Sequence, residues 1–119
     1  MTTWAGALVA TVVIEAAIAV PLLAWLGSPA SVVRRVAAVA AASAVTHPLL
    51  WLVVDAVGDG ERGWTVAVLL GEVVAIAIES LVLIAVLPGE RPDRSTLVLV
   101  AVVMNGGSTL AGLVVTATG

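Results

Sequence analysis

A chain of 119 residues that is 61% hydrophobic and only 11% charged cannot clothe a soluble domain in polar surface, because ordinary soluble domains carry about a quarter charged residues. A formal charge of −3 without a single lysine excludes the basic stripe that a nucleic-acid partner would need. The absence of cysteine excludes disulfides, thiolate metal sites and thiol nucleophiles together.

With a mean hydropathy of +1.20, the composition predicts an all-α integral membrane protein embedded in a lipid bilayer. Helices that are apolar all round also fill the cores of large soluble proteins, but a chain this short has no larger core to hide them in. Four apolar runs, 4–26, 36–54, 64–87 and 97–116, match the roughly 20 residues that a spanning helix requires. They predict helices over about 4–26, 32–54, 64–87 and 96–117 in one transmembrane domain covering 1–119. Short connections make successive helices antiparallel neighbours, which predicts an antiparallel four-helix bundle.

The first run begins "MTTWAGALV". It lacks a basic leader and is full length, so it reads as a spanning helix and not as a cleaved signal. It carries Thr11 and Glu15 four residues apart on one face, with Glu15 at its midpoint. Pro21, lower down, removes a backbone donor from the carbonyl of Ala17. The first connection, "LGSPASVVRR", brings Arg34 and Arg35. The second run holds "SAVTHPLLW", with Ser43 and His47, the only histidine, on one face. Thr46 lies beside His47, and Pro48 frees the carbonyl of Ala44 nearby. "DAVGDGERG" then gathers Asp55, Asp59 and Glu61 around Arg62, which reads as a solvated acidic rim with some attraction for cations.

The third run contains Glu72 and Glu79, seven residues apart and in phase. After "LPGERPDRS", with Arg91 and Arg94, the fourth run carries Asn105, Ser108 and Gly112 along one face. Gly106, Gly107, Ala111 and Gly112 keep that helix slim enough for close backbone approach. Four arginines at the first and third connections against one at the second place those two connections in the cytoplasm and both termini outside. Trp4, Trp51 and Trp64 then fall near the outer interface and Trp25 near the inner one, as an aromatic belt. The alanine- and valine-rich, lysine-free composition suggests a GC-rich prokaryote, and hence a prokaryotic cytoplasmic membrane.

At 1.5 Å per residue the polar groups share one depth. His47 lies about 3 Å outward of its run's midpoint, Glu72 about 5 Å outward and Glu79 about 5 Å inward. Asn105 and Ser108 straddle the midpoint of the fourth run. A charge facing lipid costs at least about 2.5 kcal/mol on the mildest scale, so these stripes are expected to face one another inside the bundle. Taken singly, Thr11, Thr46, Asn105 and Ser108 are explained as hydrogen-bonded bridges between helices. Three acids and a histidine together exceed what helix association needs, and intramembrane ionisable groups point to function.

Three chemistries fit. Glu15, Glu72 and His47 are expected to exchange protons in a relay or a proton-coupled transport cycle. One imidazole and two carboxylates, His47 with Glu15 and Glu72, also make an acceptable divalent-metal set, although no HExxH-like spacing supports it. Ser108 with His47 would be the pair for an intramembrane hydrolase, yet "NGGSTL" lacks the G-x-S-x-G elbow. No motif assigns an enzymatic reaction.

Four short-linked helices with a glutamate midway along the first resemble the small multidrug resistance transporters. That resemblance implies for Glu15 a carboxylate shared between protons and cationic drugs in an antiparallel dimer. The chain differs from that family in its third-helix carboxylates, its Thr-His-Pro and its lack of Tyr and Phe. A resemblance spanning nearly the whole chain is to small uncharacterised prokaryotic four-helix membrane proteins. Their pattern joins a first-helix glutamate, Asn-x-x-Thr-His-Pro-x-x-Trp, third-helix glutamates and Asn-x-x-Ser-x-x-x-Gly. Here these are Glu15, "SAVTHPLLW" with Ser43 in the asparagine's place, Glu72 with Glu79, and "NGGSTLAG". It implies that these residues form one cluster, and it brings no activity with it.

The expected site is therefore Glu15, His47, Glu72, Asn105 and Ser108, with Thr11, Ser43, Thr46 and Glu79 around it. The expected function is proton- or cation-coupled movement of a small solute or ion, with a homodimer as the transporting unit. A metal-binding intramembrane enzyme and a non-catalytic assembly partner are the alternatives.

Overall fold

The computed structural model of the chain describes residues 4–57, 60–87 and 92–118, apart from the side chains of 4, 113 and 115–118. Those residues form four α-helices and no strand: α1 Trp4–Trp25, α2 Val32–Val57, α3 Gly60–Val86 and α4 Arg94–Thr118. Each helix packs on the next and α1 closes onto α4, so α1 and α3 face across one diagonal and α2 and α4 across the other. All four helices are long and apolar enough to cross a membrane.

Local chemistry sets the ends. At Gly27 the backbone enters the left-handed region, φ 90°, which costs glycine little. Ser28 N–H donates to the Leu23 carbonyl at 2.9 Å and Gly27 N–H to the Ala24 carbonyl at 3.1 Å, a Schellman stop that satisfies the last carbonyls of α1. Ser31 opens α2 by accepting the Arg34 N–H at 3.1 Å, the usual duty of an N-cap serine. The side chain of Arg34 then donates through Nε to the Val86 carbonyl at 2.9 Å. A cation is thereby placed at the C-terminal end of α3, where the helix dipole favours it. Arg35 does similar work on α1, donating to the Val20 carbonyl at 3.3 Å and, through Nε, to that of Ala30 at 2.9 Å.

The second connection is shorter than its sequence suggests. α2 runs on to Val57 and α3 starts at Gly60, so Asp55 and Glu61 sit on helix ends instead of in a loop. Glu61 in the first turn of α3 complements that helix's dipole. Asp59 lies outside the described residues, as do Glu90 and Arg91.

α4 begins at an N-cap aspartate. Asp93 Oδ1 accepts the Thr96 N–H at 2.9 Å, and hydrogen bonds from Thr96, side chain first and backbone second, hold its carboxyl below the usual carboxylate range. A depressed folded pKa contributes stability above the unfolded pKa and loses it as pH falls through the folded value. Asp93→Ala should therefore lower the thermal midpoint in detergent at pH 7. The deficit should vanish once the pH drops below the ordinary aspartate range, and a deficit that persisted there would assign the loss to something other than the cap.

The interior is divided along its length. Near the Arg34/Arg35 end, Leu23, Val39, Leu83, Val100 and Met104 are fully or almost fully buried and form a continuous apolar plug. Outward faces reverse the usual polarity of a soluble protein: Val13, Leu69, Val73, Leu81, Leu99 and Leu110 are each at least 60% exposed. Trp25 projects at the plug end and is 82% exposed. A Cβ on Gly71 would run into the end of the Leu50 side chain, and one on Gly107 into Ile18, so glycine brings α3 close to α2 and α4 close to α1.

Candidate functional site

Where the plug ends, polar side chains begin. Glu15 of α1 and Glu79 of α3, both about 1% exposed, come from diagonally opposite helices and lie beside each other in the interior. Each carboxyl is held from both remaining sides. Ser43 of α2 donates to Glu15 Oε2 at 2.7 Å and Ser108 of α4 to Glu15 Oε1 at 3.0 Å. Thr46 of α2 donates to Glu79 Oε1 at 3.1 Å, and the Asn105 amide of α4 donates to Glu79 Oε2. Thus each glutamate takes one donor from α2 and one from α4.

The donors are themselves anchored. Asn105 Nδ2 also donates to the Ala101 carbonyl at 2.8 Å, while the hydroxyls of Thr46 and Ser108 sit 3.0 and 3.1 Å from the carbonyls of Ala42 and Asn105. Among the described residues no buried side-chain nitrogen or oxygen lacks a partner. That completeness matters because an unmade bond in such surroundings costs about 1–3 kcal/mol.

Above the pair lies a cavity of about 470 Å³. Its lining comes from the first half of α1 and α3 and the second half of α2 and α4, and includes Thr11, Leu50, Trp51, Trp64, Val68, Glu72 and Thr109. Glu15 and Asn105 reach it from below. Glu72 stands on the wall, where Thr109 donates to its Oε1 at 2.6 Å. His47, 8% exposed, accepts through Nε2 from the Trp51 indole N–H at 3.0 Å, the rings edge to face with centroids 6.2 Å apart.

All nine residues expected from sequence line this cavity or the polar floor beneath it, but their order of closeness differs. Glu79, expected among the surrounding residues, is the neighbour of Glu15, and Glu72 lies a turn or more above them. Helical side chains lean toward the N-terminus of their own helix. In α3 this carries Glu79 back toward the midpoint and Glu72 away from it. Thr109 and Trp51 join the site beyond the nine expected residues. The spacing could have found both: Thr109 is four residues from Asn105, and Trp51 four from His47.

Two chemistries are not assembled. Among the described residues no three of His, Asp and Glu gather in a metal-holding group, so Glu15, His47 and Glu72 do not make a ligand set. The hydrolase pair fails as well, because the Ser108 hydroxyl is directed to Glu15 and the Asn105 carbonyl while Trp51 occupies His47 Nε2. In comparisons with protein families, curated proteins and solved structures, nothing matches this chain.

Proposed function

We propose that the chain is an integral membrane protein, an antiparallel four-helix bundle, in which the Glu15–Glu79 pair couples proton binding to the movement of a small solute or ion. The observation that carries this reading is the pair's position, with a cavity on one side of it and an apolar plug on the other. A binding group reached from one side and sealed from the other is what alternating access requires.

Several features support the bilayer. The bundle's longest extent is 44 Å, against about 40–45 Å for a membrane with its headgroups. Its outer face is apolar, while every ionisable side chain between the helix ends points inward. The arginines at the plug end favour a cytoplasmic location for it, with both termini and the cavity outside. A prokaryotic cytoplasmic membrane suits this orientation, and a homodimer gives so slender a bundle a wider path.

Chemically, two carboxyl groups can hydrogen-bond to each other only with a proton between them. Their titrations are then properties of the pair. Release of that proton leaves two anions in a dry site, which favours uptake of a cation from the cavity. Glu72 is the relay on the wall, and Asn105 and Ser108 keep the carboxyls in register.

The test is proton flux in liposomes holding a pH-sensitive dye, with sodium, potassium and tetraethylammonium as trial solutes. An imposed pH gradient should drive solute-dependent flux that Glu15→Gln abolishes. Flux no greater than in empty liposomes for every solute would end the proposal.

A second reading draws on the completeness of the hydrogen bonding: the polar centre only fixes helix register. Under it, Glu→Gln changes would be silent in every flux assay.

A further inference from the structure

We infer that Trp51 is a positioning residue that latches His47, so that proton uptake by the imidazole and release of the indole from the cavity wall are a single event. This deepens the transport reading by supplying its gate, but it stands on separate geometry. An indole N–H can only donate, so its 3.0 Å contact with Nε2 makes that nitrogen the acceptor. The neutral ring must then carry its hydrogen on Nδ1, the tautomer that free histidine side chains disfavour. A second proton can enter only at Nε2, where it would meet the indole N–H head on. The two groups cannot both keep their hydrogens in that contact, and one must leave.

The indole is the one with room to move. His47 is buried whereas Trp51 is 41% exposed, and both border the cavity. The residues are one helical turn apart on α2 with Pro48 between them, so the latch depends on one side chain and needs no shift of a helix. The charged groups that face His47 across the cavity are Glu15 from α1 and Glu72 from α3, with Glu79 beneath. α4 contributes only uncharged Asn105, Ser108 and Thr109. An imidazolium formed there would find carboxylates for partners once the indole has gone.

Because His47 is the only histidine, one nitrogen-15 histidine label reports the ring without assignment. In the full chain in detergent or bilayer, at a pH where the ring is neutral, the wild type should show Nε2 unprotonated and Nδ1 protonated. Trp51→Phe, which keeps an aromatic ring but loses the donor, should shift the ratio of tautomers about tenfold toward Nε2–H. On acidification, the Trp51 indole N–H resonance and the histidine ring should change with one shared midpoint. A wild-type ring protonated on Nε2, an unchanged tautomer in Trp51→Phe, or two separate midpoints would each overturn the inference. Should the variant not fold, the wild-type tautomer and the shared midpoint decide alone. None of these readings requires transport, so a failed flux assay and a failed latch can be told apart.

Discussion

Glu79→Gln should leave the bundle folded and stop proton-coupled flux, whereas Glu79→Ala should destabilise it by about 2–4 kcal/mol. Glutamine has the same shape and can still satisfy both neighbours. Its carbonyl accepts from Asn105, and its amide donates to Thr46, whose hydroxyl can turn and accept. What glutamine cannot do is hold and release a proton, the step that the transport reading asks of this pair. Alanine removes the acceptor for both donors and leaves a void among four helices. Part of the loss is softened because Asn105 and Thr46 keep their bonds to the Ala101 and Ala42 carbonyls. Unfolding in a detergent series measures the first difference, and dye-reported flux measures the second. If glutamine is as active as the wild type while alanine unfolds, the assembly reading replaces the transport one.

The opposite ranks given to Glu72 and Glu79 show where sequence reasoning runs short. The four helices, their apolar character and the inward stripes were legible, because a bilayer-length apolar run and a 3.6-residue phase are local properties. Depth counted along Cα positions also brings Glu15, His47, Asn105 and Ser108 close to one level. Which carboxyl meets which is set by side-chain lean and by the diagonal placement of α1 and α3. Neither is local to one helix, so phase and depth alone do not say that Glu79 and not Glu72 lies beside Glu15.

The donor pattern hides from sequence for a related reason. Ser43 and Thr46 are three residues apart on α2 and look like one polar stripe, yet they serve different glutamates on different helices. Likewise Asn105 serves Glu79 and Ser108 serves Glu15. Only the ring order of the helices separates these tasks. The cavity is harder still to foresee, since it is defined by what fails to fill the space above the pair. Trp51 and Trp64 satisfy an interfacial-belt pattern equally well, and nothing in their spacing says that they also line a pocket. The arginines have the same double character: Arg34 and Arg35 count toward orientation, and they also bind the carbonyls of Val86 and Val20.

Leu83→Ala should cost roughly 2–3 kcal/mol and yet remain tight to protons. Leu83 is fully buried in the plug, with Leu23, Val39 and Met104 in the same cluster. In a bilayer the methyl groups of Leu83 gain little by leaving lipid for protein, so the loss comes from forfeited packing contacts. The space left is walled by apolar side chains, and such cavities stay dry. Leu83→Asn should behave differently at similar size. Its amide has no partner supplied for it among these neighbours, so water drawn in to satisfy it would breach the seal below Glu79. The expected result is a proton leak without added solute in Leu83→Asn liposomes and none in Leu83→Ala. Equal leak in both would mean that packing alone holds the seal, and no leak in either would move the barrier away from the plug.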